Sequence, residues 1–586
     1  MCVTRDFGQP ELLGNLTACA EKGCAACRLR NLGILKALRQ RDRRVSDPEP
    51  PAFVRLAGPA IGLGPEAYDS NRIFLYSRPG EGTFVCPIVG RGQEVAPRRA
   101  SHISVLKEWL KRCHENHPAC VTNLEVPLPT RVLSIGNEDS DRVRLEVARD
   151  RTGCYTALSH CWGGGIEIRT IRDNVESREK GLPYSLLPKS FQDAVTVTRH
   201  LGLKYLWIDA LCIVQDDQDD WERESGNMAA VYQNAYLVLG ADMSPNSHGG
   251  FLDVGPGGYH GAGTPVAVVE STTVYARSGG PPSLWSSPHP VADEPLSKRA
   301  WTLQEQLLAP KMVHFTSKEM VWECNSGEFC ECMDMDHAGE IPYPRLSIRD
   351  IRLSLSFTST PDKFKLWYEI VNQVTKRDIT MPEDLLPCLS GLAKKFQDSG
   401  AGVYLAGLWL DDVQLGLLWR PERPGVPQTS LRATPYRGPT WSWTSIANPK
   451  APYYDITTKL DRKLTKVYAK VVKAECTPKG KDPLGAVSGG YLEVVAPLLE
   501  VPPFLSVPGI STFDFHFTRK QGEKQFILII GELTLGKVEG LILRHRPDVS
   551  KNTYERVGRY QSKQYPLPHE RELVQGGWKY SRVLLI

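Results

Sequence analysis

Three tryptophan-bearing blocks constrain this chain more than anything else in it. They are YTALSHCWGGG (Tyr155 to Gly165), YLWIDALCIVQDDQDDWERESGNMAAVYQNAYLVLGA (Tyr205 to Ala241) and RAWTLQEQLLAPKMVHF (Arg299 to Phe315). Each sets polar or ionisable side chains where an apolar strand ends or a helix begins. Taken in order they alternate strand and helix, the pattern of a parallel sheet with helices on its faces. Ligands bind outside the carboxyl ends of the strands in such sheets. Ser159, His160, Asp209 and Asp242 fall at such ends. The blocks therefore predict a site as well as a core.

A chain of 586 residues exceeds one ordinary core, so two to four domains are expected. Its charge of +4 is nearly neutral for this length and argues against a nucleic-acid protein, which would show a basic stripe. The basic run Lys36 to Arg44 reads as the solvated face of a helix. No stretch of about eighteen apolar residues occurs, which predicts no membrane span. The start MCVTRDFGQPELLGN lacks an apolar signal core, so a cytoplasmic chain is expected. Its fifteen cysteines are then expected mostly as thiols.

Those cysteines gather in three places. Cys19, Cys24 and Cys27 lie in ACAEKGCAACRLR, with Cys2 upstream; Cys113, His117 and Cys120 lie in WLKRCHENHPAC; Cys324, Cys330 and Cys332 lie in WECNSGEFCEC. Structural zinc needs four ligands, usually as two close pairs. None of the clusters supplies two pairs alone. Packed thiols and local turns are the expectation, and no metal centre is assigned.

Residues 1 to about 130 read as an irregular and helical extension, in which Ile103, Leu106, Trp109 and Leu110 mark one buried helical face. In LPKSFQDAVTVTRHLG, Pro188 suits a first helical turn and Gly202 a C-terminal cap. Asp219, with Glu222 three residues on, reads as the capping box of the following helix. Residues 243 to 295 are loop-rich with a hairpin, and Pro310 ends the helix of the third block. Residues 131–335 thus form the α/β region, 336–430 a helical region, and 431–586 a β-rich region of alternating runs such as YLEVVAPLLEV and FILIIGELTL.

Together, YTALSHCWGG, LPKSFQDAV with YLWIDALCIVQDDQDDWERE, and RAWTLQE with VWEC resemble the fungal heterokaryon-incompatibility (HET) domain. Flanking segments resemble full-length members too: WLKRCHENHPAC and LPTRVL before, and DLLPCLSGLAKKF, YLAGLW and TWSW after. The resemblance covers roughly residues 105 to 445 and implies a role in fungal non-self recognition and programmed cell death. It also implies self-association, and a protein partner in recognition. The family is distantly similar to Toll/interleukin-1 receptor (TIR) domains, some of which cleave NAD. That likeness implies a TIR-like, flavodoxin-like parallel sheet core.

TIR domains that cleave NAD place a glutamate four residues after a tryptophan in the helix following the third strand. Trp301 and Glu305 have that spacing here. The likeness implies Glu305 as a catalytic carboxylate and NAD as substrate, with no tightly bound cofactor. Cleaving the nicotinamide–ribose bond passes through an oxocarbenium-like state that one carboxylate stabilises. Equally, Glu305 fits a salt bridge of its own helix with Arg299. Asp209 reads as a ribose holder or as a tie for its loop. Ser159, His160, Trp162, Gly163, Cys212 and Trp301 read as pocket lining, with Trp162 either stacking a flat ring or packing. His160 and the adjacent Cys161 point to opposite faces and cannot pair as nucleophile and base. Two other functions stay open: a self-associating signalling or scaffold module without chemistry, and a small-molecule enzyme of secondary metabolism.

Overall fold

The computed structural model describes most of residues 99–252, 294–330, 363–421, 432–446 and 464–586, with short separate elements elsewhere. Cys2, Cys19, Cys24, Cys27, Cys332 and the basic run 36–44 lie outside the described residues. The chain divides into two compact units: residues 1–212, 235–297 and 309–342 in the first, and 213–234, 298–308 and 343–586 in the second.

The first unit is built on a nine-stranded sheet. Its strands are β1 (Arg131–Ser134), β2 (Arg142–Val147), β3 (Tyr155–Ser159), β4 (Leu182–Pro183), β5 (Tyr205–Trp207), β6 (Leu237–Gly240), β7 (Lys311–Phe315), β8 (Met320–Cys324) and β9 (Gly327–Cys330). Their spatial order is β4-β2-β1-β5-β3-β6-β7-β8-β9. Only β5, β3, β6 and β7 run parallel. Every residue of these four is buried, as parallel strands covered on both faces require.

Antiparallel strands flank these four on both sides, so the sheet as a whole is mixed. The reason is connection length. Ser134 to Arg142, Phe315 to Met320 and Cys324 to Gly327 are hairpin-length links, and a parallel return needs a crossover of a dozen residues or more. The register puts the strand ends level: Ser159 pairs with Gly240, and Gly240 with His314.

Helix α1 (Arg99–Asn116) buries Ile103, Leu106, Trp109 and Leu110, the face that the spacing predicts. Helix α2 (Lys189–His200) begins after Pro188 and ends before Gly202, whose φ is +72°. A short helix α3 (Asp209–Cys212) follows β5. The N-terminal extension contributes strands as well as helix α1. Its strands Phe53–Ala57, Ala60–Leu63 and Arg72–Ser77 form an antiparallel sheet with the hairpin Thr264–Val269 and Thr272–Ser278.

The second unit holds α4 (Gln218–Asn234), α5 (Ala300–Leu308), α6 (Lys363–Val374) and α7 (Pro387–Asp398). The cap of α4 is Asp217 rather than Asp219: its Oδ1 accepts the Asp220 N–H at 3.1 Å. Trp367, Trp409, Trp419, Trp441 and Trp443 are fully buried in the core that these helices share with the C-terminal strands. Those strands are β10 (Lys470–Pro478), β11 (Val487–Val501), β12 (Gln525–Leu533), β13 (Lys537–His545), β14 (Thr553–Gln561) and β15 (Tyr580–Leu585). β11 pairs with β15 along Leu492–Pro497 and with β12 along Leu498–Val501. With β12–β13, β13–β14 and β14–β15 also paired, five strands close into a ring. Alternate residues feed two cores: Leu528 and Ile530 join the tryptophans, while Ile527 and Ile529 pack with Val557 and Tyr560.

Candidate functional site

The chain leaves β3 through Ser159, His160, Cys161 and Trp162, and turns at Gly163. Gly163 has φ +79°, and a Cβ there would stand 2.0 Å from that of Asn246, so only glycine fits. Just beyond β5, Asp209 meets this turn. Its Oδ2 accepts the Trp162 Nε1–H at 2.8 Å, and its Oδ1 accepts the Ala210 N–H at 2.7 Å. His160 Nδ1 stands 3.7 Å from the same Oδ1, and its ring packs edge-on against Phe191 at 5.0 Å. Ser159 and His160 are buried, whereas Trp162 and Asp209 are part-exposed. An indole and a carboxylate therefore face outward together at the level where the parallel strands end. Cys212 is buried, and its carbonyl accepts Arg131 Nε–H at 2.7 Å.

Trp301 and Glu305 lie on α5, in the other compact unit. Side chains around Glu305 fix that helix. Trp301 Nε1–H donates to Asp384 at 3.1 Å, Gln304 Oε1 accepts the Gly391 N–H at 2.8 Å, and Thr302 Oγ1 accepts from Arg377 at 2.9 Å. Burial pushes the Asp384 carboxyl up to about 6, against the pull of the Trp301 N–H. Glu305 itself is buried. Glu224 is buried on α4 and pairs with its neighbour Arg223 at 3.2 Å.

Two clusters escape a reading of the sequence. His314 in β7 is fully buried between Asp242, 3.0 Å from Nδ1, and Glu323, 3.5 Å from Nε2. Burial alone would lower the imidazole, but the two carboxylates outweigh it and hold it up to about 9. Gly240 makes room for the carboxylate, since a Cβ there would lie 2.6 Å from Asp242 Oδ2. The signal was an ionisable residue within each of the apolar runs KMVHF and MVWEC. The second cluster gathers residues of metal-ligating type: Cys113, His117, Cys120 and Cys324 converge although two sequence clusters contribute them. In the second unit, a recess of about 590 Å³ is lined by Trp221, Glu222, Asp384, Lys481 and Asp482 among others.

Among the described residues no helix is long and apolar enough to cross a membrane. No curated protein and no solved structure matches the chain. Residues 155–305 match the family model described as heterokaryon incompatibility protein (HET). That match begins at the first residue of β3 and ends at Glu305, so this segment of the chain is similar to the HET family.

Proposed function

We propose that the chain acts in heterokaryon incompatibility, and that its HET domain binds NAD beside Ser159, His160, Trp162, Gly163 and Asp209 and cleaves the nicotinamide–ribose bond. The observation that carries this reading is strand order. Numbered along the chain, the four parallel strands lie in the order second, first, third, fourth. Flavodoxin-like sheets share that order, and their ligand sits where it reverses, at the carboxyl end of the first strand. Here the first strand is β3, whose end carries Ser159 to Gly163. Trp162 offers an aromatic face to a flat ring, and Asp209 a carboxylate to ribose hydroxyls.

The likeness to TIR domains assigns to Glu305 the role of the carboxylate that stabilises the sugar cation. The bond to nicotinamide breaks with its electron pair going to the ring nitrogen, and water adds to the ribose carbon and gives up a proton. Cys212 serves as lining. A second reading, a self-associating module without chemistry, draws on the same bonds. Asp209 already holds Trp162 and Ala210, and α5 is pinned at Trp301 and Gln304. Expression of wild type and Glu305→Gln in a fungal host separates the two. Loss of cell death in Glu305→Gln at equal protein level is expected, and undiminished death would favour the module.

A further inference from the structure

Within the first unit, four side chains from distant parts of the sequence form a closed ligand set. Cys113 sits in the last turn of α1, His117 just beyond it, Cys120 at the end of the short turn Pro118–Cys120, and Cys324 at the end of β8. Backbone bonds hold the first three in one tight stretch: His117 N–H donates to the Cys113 carbonyl at 3.0 Å, and Cys120 N–H to the His117 carbonyl at 2.8 Å. One ligand atom from each of the four lies within 4.8 Å of all the others. Cys324 Sγ is 3.4 Å from His117 Nδ1. Around a zinc ion with Zn–S near 2.3 Å and Zn–N near 2.0 Å, a tetrahedron has edges of about 3.8 Å between sulfurs and about 3.5 Å from sulfur to nitrogen. The Cys324–His117 separation is already that edge.

The surroundings suit the charge. Zinc with three thiolates and one imidazole carries one net negative charge. Lys311, only 4% exposed, is the register partner of Cys324 and donates from Nζ to the Cys120 carbonyl at 3.2 Å. A buried ammonium is costly unless an anion compensates it. Phe329 stacks on the His117 ring at 5.8 Å and 19°. None of the three cysteines is in a disulfide, and each is at most 2% exposed.

We propose that Cys113, His117, Cys120 and Cys324 bind one zinc ion. With all four positions taken by protein the site is structural rather than catalytic. It would clamp the end of α1 to the β7–β8 hairpin at the far end of the sheet, closing a loop of some two hundred residues between Cys120 and Cys324.

The test is the zinc content of the full chain, purified without chelator, for wild type, Cys113→Ser, Cys324→Ser and the control Cys161→Ser. Loss of one ion per chain in the first two variants and none in the control is expected, whatever the N-terminal cysteines hold. Equal zinc in all four proteins would overturn the site, as would a disulfide among the three cysteines in wild type. Should the serine variants fail to fold, His117→Cys loaded with Co2+ decides. A stronger sulfur-to-cobalt charge-transfer band than in wild type is expected, and an unchanged spectrum would overturn the site.

Discussion

At the residue scale, the side chains at strand ends were legible and the buried charges were not. Trp162, Gly163 and Asp209 stand out in sequence because glycines and a lone carboxylate interrupt apolar runs, and the structure joins Trp162 to Asp209. His314 sits inside a run that reads as plain core, and only the fold brings Asp242 and Glu323 to it. Its raised pKa has a consequence. The folded value of about 9 lies above the ordinary 6.5, so the proton stabilises the fold fully below about pH 6.5. That contribution, of order 3 kcal/mol, is lost as pH rises towards 9. Urea midpoints for wild type should therefore fall between pH 6.5 and 9 more steeply than those for His314→Gln. Equal slopes would remove the charge from His314.

At the element scale, helical periodicity located α1 and α2, but caps and edges needed coordinates. DDQDD offers several acids for one cap. The chain uses Asp217, whereas Asp219 reaches outward to an exposed pair with Lys481. Replacing the cap costs about 1 kcal/mol, and an exposed pair contributes little. Asp217→Ala should lower the denaturant midpoint of the chain clearly more than Asp219→Ala, and the reverse order would restore the sequence-based assignment. The cluster of Cys113, His117, Cys120 and Cys324 was hidden for a related reason. Each sequence cluster lacks a full ligand set, and it is the β7–β8 hairpin that carries Cys324 to the end of α1.

At the scale of the whole molecule, alternation announced the C-terminal strands but not their closure. Closure depends on β11 changing partners along its length and on the parallel β14–β15 pair, and neither leaves a period in the sequence. Arg556 fixes the ring's attachment within the second unit. It is fully buried, forks onto Asp514 at 2.9 and 3.0 Å, donates to the carbonyls of Leu417 and Trp419, and lies 3.4 Å over the Trp419 ring. Arg556→Ala leaves Asp514 buried and unpaired, a change that costs about 3–5 kcal/mol. Thermal unfolding should show it as a large loss of stability, and a variant as stable as wild type would mean that the bonds contribute nothing net.

The central claim is chemical, and nicotinamide release tests it most directly. Concentrated full-length protein is incubated with NAD, wild type beside Glu305→Gln, and nicotinamide is followed by chromatography. Release by wild type, with a loss of at least about 100-fold in Glu305→Gln, is predicted for a carboxylate that stabilises the transition state. No release by wild type in any assembly state would contradict the enzymatic account, and equal release by both proteins would remove Glu305 from the chemistry.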